Sequence, residues 1–282
     1  MRRAASSSWI YRFDEMEEHM VQTGSRTARG VVAPAGVFVA VAFVAAGVLG
    51  AAQAGTPIPA EVIQLTQFGP ALAVAVVALL WPRTAREALT GAVGRGGGPA
   101  LPGAGGVGVA LQVTALLIVG LSAGAYGLLT GDARFTAPGT LGSPFALIVV
   151  AQLIGACAEE IGWRCLLQPL LRRRTGPLAA SVVVGLTWGA WHVPVFGRPP
   201  LYAAAFLLAT VSMSVVMGLA LERVRGHRLL LTGGFHTLVN LGLLLFMDEE
   251  AGALAPIALF GVACLLTALL WVWRAPARIH VR

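Results

Sequence analysis

Three short polar clusters interrupt long apolar stretches of the chain, and their residue types are those of hydrolytic chemistry. The first is Ala158-Glu159-Glu160-Ile161-Gly162-Trp163-Arg164, the second Trp188-Gly189-Ala190-Trp191-His192-Val193-Pro194, and the third Gly233-Gly234-Phe235-His236-Thr237-Leu238-Val239-Asn240. Together they offer a carboxylate that can take a proton from water, imidazoles that can share that work, and an amide that can donate to a developing oxyanion. Each group is costly in a lipid environment, about 2.5 to 3.5 kcal/mol for a charged residue at a helix centre on insertion scales. Their presence there points to function.

Helical spacing assigns the groups different roles. Glu160 and Arg164 are four residues apart with the acid on the N-terminal side, the favoured orientation for an ion pair. Glu159 lies about 100° round the helix and has no local partner, which leaves it free to face a cavity as a general base. Trp188 is one turn before His192 on the same face, and His236 and Asn240 share a face at i, i+4. Blander readings exist for each: glutamates solvated at a helix end, a histidine in an interfacial aromatic belt, and a His/Asn pair that only bridges helices. The three clusters together favour a site.

The elements that must position these groups are membrane helices. The 282 residues are 57% hydrophobic and only 12% charged, with a mean hydropathy of +0.78, far from a soluble domain. Apolar runs near the roughly 20 residues needed to cross a bilayer fall at 31–53, 61–81, 107–130, 143–171, 177–197, 201–222, 228–247 and 253–273. The expected fold is an all-α polytopic membrane protein, a bundle of about eight transmembrane helices around an intramembrane polar cavity. The run 143–171 is longer than a straight span requires, so tilt or an extension is expected. Along the helices, the four candidate site residues Glu159, His192, His236 and Asn240 lie about 12 to 22 Å from one set of helix ends, so they can meet in one layer. His19, His227 and His280 fall in tails or loops.

Charge sets the expected orientation. All 20 basic residues are arginine, and the net charge is +7. Seventeen of the 20 fall in the tails and in alternate loops, Arg134 and Arg198 occupy the opposite loops, and Arg164 is inside a helix. By the positive-inside rule both termini face the cytoplasm. This distribution explains the basic charge without nucleic acid, which is excluded as a partner. The partners expected are the lipid bilayer and a peptide or protein substrate. Arginine without lysine, with 35 glycines, points to a GC-rich, bacterial source. Cys157, Cys165 and Cys264 lie in apolar segments without CxxC spacing, so neither a disulfide framework nor a zinc-thiolate site is expected. The organisation expected is a cytoplasmic N-terminal tail (1–30) with room for a short surface helix, three helices with a Gly/Pro-rich loop (31–142), a core carrying the clusters (143–247), and a final helix with a basic cytoplasmic tail (248–282). The glycines of 94–106 read as a flexible linker.

The ordered motifs EExxxR (Glu159 to Arg164), aromatic-xxx-His (Trp188 to His192) and HxxxN (His236 to Asn240) resemble the CPBP family of intramembrane proteases, also called the CAAX-protease or Abi family. The resemblance covers about residues 143–247. Trp188 stands where the family often has Phe, and Cys165 where Gly is common after the arginine. The resemblance implies that Glu159 activates water with His192, that Glu160 and Arg164 hold the helix and its electrostatics, and that His236 and Asn240 stabilise the oxyanion. The family is often labelled metalloprotease, and Glu159, His192 and His236 would be the ligands of a zinc ion. There is no HExxH, and a glutamate-activated water without metal fits the same residues and is preferred. The expected activity is endopeptidase cleavage of a membrane-associated, prenyl-type or leader-type peptide reaching the cavity from the membrane or the cytoplasmic side. The alternatives are a binding or immunity protein on the same scaffold and, with less support, an ion-coupled transporter.

Overall fold

The computed structural model describes the backbone of residues 7–94, 104–247 and 253–275, and the side chains of residues 30–94, 105–247 and 253–275. All regular structure among the described residues is helical. The helices are α1 (Ser7–Gln53), α2 (Gly69–Leu80), α3 (Pro82–Leu89), α4 (Ala104–Thr130), α5 (Phe145–Gly162), α6 (Gln168–Arg172), α7 (Pro177–Trp191), α8 (Pro200–Leu221), α9 (Arg228–Phe246) and α10 (Leu254–Trp273). Each of the eight apolar runs contains a helix, and the chain is an all-α polytopic membrane protein. Among the described residues six helices are long and apolar enough to cross a membrane, and two apolar stretches, Leu65–Leu80 and Pro177–Trp191, are shorter.

Three local features depart from the expected outline. In the N-terminal segment the helix is longer than a short separate one, because α1 runs unbroken from Ser7 through the apolar stretch to Gln53. Helix propagation adds one hydrogen bond per residue once a nucleus exists, so the apolar span can extend into a polar segment. The loop expected at 82–106 begins as α3, opened by Pro82 in its first turn, with Ala85 and Ala88 buried. Alanine spacing and a proline that needs no amide partner at that position account for it. Residues 95–103 of the glycine-rich linker lie outside the described residues. The long fourth run is one continuous helix in which α5 and α6 are joined by a π-helical turn, Trp163–Leu167. Such turns re-aim the residues around them and are frequent at functional sites.

Packing brings the cluster-bearing helices together. α2 lies between α1 and α5, α9 lies against both α5 and α4, and α8 packs on α7 and α10. Gly162 lets α5 approach closely: a β-carbon there would come within 2.7 Å of Pro70 and 2.8 Å of Phe38. Gly185 does the same between α7 and α8, where a β-carbon would meet Val211 Cα at 2.6 Å. Trp163 fills the junction, edge-on to Phe38 at 5.2 Å and to Trp191 at 5.9 Å.

The bundle has two chemically distinct ends. At one, Arg172 makes a two-pronged ion pair with Glu222 (2.6 and 2.8 Å), Arg173 pairs with Glu87 (2.9 Å), and Arg228 donates to the Thr90 carbonyl (3.2 Å). At the other, the link between α1 and α2 is held by Gln53, which donates to Ile63 O (2.9 Å) and accepts from Leu65 N (2.7 Å). There the segment before α5 is tied to the end of α9 by Thr136 N to Leu245 O (2.8 Å).

Candidate active site

Glu159 and Glu160 stand in the last turn of α5, immediately before the π-helical turn that carries Arg164. The two carboxylates face different surroundings. Glu160 is fully buried; one oxygen lies 3.4 Å from Arg164 Nε and the other 3.0 Å from His236 Nδ1. Arg164 is equally buried, and its guanidinium carbon sits 4.7 Å over the Trp188 ring. Among the described residues the guanidinium makes no hydrogen bond, so Glu160 and the π-face balance its charge.

Glu159 has no partner on its own helix, as spacing predicts, but it has partners from elsewhere in the chain. Its Oε1 accepts from Gln67 Nε2 (3.2 Å), and its Oε2 accepts from Trp188 Nε1 (2.8 Å). Both donors are neutral and both come from other helical segments. The physical reason is general: a carboxylate that is 2% exposed must be hydrogen-bonded, and local sequence cannot show partners supplied by tertiary contact. The contrast between the two acids survives, because Glu160 has a cationic partner and Glu159 only neutral donors.

His192 closes α7. Its backbone leaves helical geometry (φ −77, ψ 59), and Pro194 opens the following 3-10 turn, Val193–Gly197. Proline disfavours helix in the preceding residue, which ends α7 here. The ring Nδ1 lies 2.9 Å from the Trp188 carbonyl. A carbonyl only accepts, so Nδ1 carries the proton and Nε2 is left as the basic nitrogen of the neutral ring. His236 likewise presents Nδ1 to the Glu160 carboxylate. Asn240 donates from Nδ2 to Gln152 Oε1 (3.1 Å), and Gln152 donates to the Glu61 carbonyl (3.2 Å).

A cavity of about 510 Å³ gathers Glu159, His192, His236 and Asn240 on its wall. Glu160 and Arg164 are behind that wall, consistent with a supporting position. Three further residues belong to the constellation. Trp188 is its hub: it donates to Glu159, offers its face to Arg164, and lies 5.2 Å from His236 and 5.9 Å from His192, ring to ring. Gln152 precedes Glu159 by seven residues, two turns on one helix face, a spacing that could have flagged it. Gln67 carries only the signal of an amide in an apolar run. A second cavity, between α4, α8 and α10, is lined mainly by apolar side chains with Arg223 and Arg274 and holds no carboxylate or imidazole.

The ligand set considered for zinc, Glu159, His192 and His236, lines one cavity. Among the described residues no three His, Cys, Asp or Glu side chains are grouped as metal ligands, and both oxygens of Glu159 are engaged by N–H donors.

Comparison with known proteins covers the same segment. Residues 141–242 match the family model of type II CAAX prenyl endopeptidases, Rce1-like. Lysostaphin resistance protein A of Staphylococcus aureus is similar over 130 residues at 26% identity, covering 46% of this chain and 31% of the protein from bovine strain RF122 or 30% of that from strain Newman. The chain thus matches only about a third of the length of these curated relatives. Glu159, Glu160, Arg164, His192, His236 and Asn240 all lie in the matched segment, whereas Gln67 comes from outside it. The segment 141–242 that matches the CAAX-endopeptidase model is thus the segment that carries the three motifs and the site side chains, and over it the chain is similar to the CPBP (CAAX-protease or Abi) family.

Proposed function

We propose that this chain is an intramembrane endopeptidase in which Glu159 activates the attacking water. The observation that carries the proposal is the paired arrangement of the two acids. Glu159 faces a cavity and is held by two neutral donors, while Glu160 is committed to Arg164 and His236 behind it. A base held by neutral donors keeps its capacity to take a proton, and one bound to a guanidinium does not.

In the proposed reaction a peptide lies across the cavity with its carbonyl toward His236 and Asn240. Water between Glu159 and His192 gives a proton to Glu159 as its oxygen bonds to the carbonyl carbon. The oxyanion is stabilised by donors on the His236 and Asn240 side, a type of contact worth about 2.7 to 4 kcal/mol in a characterised protease. The C–N bond then breaks, and Glu159 returns the proton to the leaving amine. Glu160, Arg164 and Trp188 position this machinery. No step is routed through a metal. The protein is placed in a bacterial membrane with both termini cytoplasmic, as the arginine distribution favours. Its substrate is a membrane-associated peptide, with prenyl-type and leader-type peptides as candidate classes.

The staphylococcal relatives are named for resistance to lysostaphin, which supports a second reading as a non-proteolytic immunity or binding protein. Glu159→Gln decides between the two. Loss of roughly a hundredfold to ten-thousandfold in cleavage of a peptide library is expected for a removed general base; equal cleavage by the variant overturns the mechanism.

A further inference from the structure

The second cavity, about 390 Å³ between α4, α8 and α10, shares no lining residue with the one that holds Glu159. Its long wall is α4 from Gly106 to Leu117, a stretch of about 16 Å at 1.5 Å per residue. Gly106 and Ala110, one turn apart, keep that wall low, and a β-carbon at Gly106 would meet nothing within 4 Å. Leu219 of α8 is buried at the floor. Trp271, in the last turn of α10, donates from Nε1 to Thr114 Oγ1 (3.0 Å), and Thr114 donates in turn to the Ala110 carbonyl (2.7 Å). The indole is therefore pinned across the space, and what remains is an apolar slot with a fixed aromatic wall.

Charge sits at one end of the slot. Arg223 lies just beyond α8 and Arg274 just beyond α10, and both line the cavity. Both are exposed, and among the described residues neither side chain has a hydrogen bond or an ion pair. The carboxylates close by in the chain or at this end of the bundle are already engaged: Glu222, next to Arg223, gives both oxygens to Arg172, and Glu87 pairs with Arg173. Helix C-termini favour cations, which accounts for the arginines but not for the slot beneath them.

We propose that the slot is a binding site for an anionic phospholipid, with the phosphate held by Arg223 and Arg274 and an acyl chain running along α4 toward Leu117. Guanidinium forks match phosphate oxygens, and basic pockets between membrane helices take anionic headgroups. Free phosphate would leave the apolar slot unfilled, and a neutral lipid would leave both guanidiniums uncompensated. A lipid seated there bridges α4, α8 and α10, and α4 packs in turn on α9, the helix of His236 and Asn240. The site stands apart from the hydrolytic chemistry, and its test needs no cleavage assay.

The full chain in detergent micelles is titrated with phosphatidylglycerol whose acyl chains are brominated, so that they quench a tryptophan they touch, and separately with brominated phosphatidylcholine. The quenching that disappears in Trp271→Phe reports the slot. Attraction to an anionic headgroup amounts to roughly fivefold in affinity per arginine, so phosphatidylglycerol should half-quench Trp271 at a concentration about thirtyfold lower than phosphatidylcholine. Arg223→Gln with Arg274→Gln should remove that preference. Arg83→Gln with Arg86→Gln takes the same charge from α3, outside the slot, and should leave it intact. Ala110→Phe fills the slot from an exposed position and should weaken phosphatidylglycerol binding with both arginines still present. Equal quenching by the two lipids, no quenching of Trp271 by either, or a preference lost equally in the two arginine pairs overturns the proposal. So does displacement of phosphatidylglycerol by inorganic phosphate alone, which would show a free-anion site, or undiminished binding by Ala110→Phe.

Discussion

The same conservative substitution at two adjacent glutamates should have opposite consequences. Glu160→Gln removes the carboxylate paired with Arg164, which is fully buried and whose guanidinium makes no hydrogen bond among the described residues. Breaking a buried ion pair from one side costs about 3 to 5 kcal/mol, because the remaining charge stays buried and uncompensated. For a chain of this size that corresponds to a fall in Tm of roughly 6 to 20 °C. Glu159→Gln should be nearly silent in stability. The side-chain oxygen of the introduced glutamine can accept from Trp188 Nε1, and its NH2 group can donate to the side-chain oxygen of Gln67 once that amide turns over. One weak contact is lost in that turn, Gln64 N to Gln67 Oε1 at 3.3 Å, so the change should stay within about 1 kcal/mol.

Cys165 and Cys264 are fully buried and report unfolding through a thiol-reactive fluorophore during a thermal ramp in detergent. Arg164→Met added to Glu160→Gln should recover most of the lost stability, since a buried pair replaced by neutral groups of similar volume is often tolerated. A Glu160→Gln protein that melts with the wild type would refute this division between supporting and reacting acid. So would a double variant less stable than Glu160→Gln alone.

Other expectations follow from single contacts. Trp188→Phe keeps an aromatic face for Arg164 but removes the donor to Glu159 Oε2; a lost hydrogen bond to a charged group, about 1.5 to 3 kcal/mol, should lower kcat roughly ten- to 150-fold with KM little changed. An unchanged kcat would show that this donor does not position the base. Gly185→Ala should destabilise the α7/α8 contact by about 1 to 3 kcal/mol, because the new carbon meets Val211 Cα and, at 2.8 Å, Ser214 Cβ; the thiol-reporter melt measures it. Elemental analysis of the purified protein should find no stoichiometric zinc, and chelators should leave cleavage unchanged. Zinc that disappears in His192→Ala would reverse that expectation.

Much of the site was legible because its logic is local. The i, i+4 pairing of Glu160 with Arg164 and the shared face of His236 and Asn240 depend only on helical periodicity, and the structure places the groups accordingly. Helix ends were harder. The run 143–171 gave no sign of the π-helical turn at Trp163–Leu167, because in a run so uniformly apolar a shift of helix face leaves no mark on the pattern. The extension of α1 to Ser7 and the helix α3 were equally hidden, since polar and alanine-rich segments have no single reading until packing or an adjoining helix settles them.

Sequence alone determined the class of the molecule and the inventory of its chemistry: apolar runs dictate membrane helices, and the polar groups set within them mark a site. Tertiary structure alone decided which group meets which. Gln67 lies 92 residues from Glu159 and Gln152 lies 88 residues from Asn240; hydrogen bonds between segments so far apart leave no periodic trace.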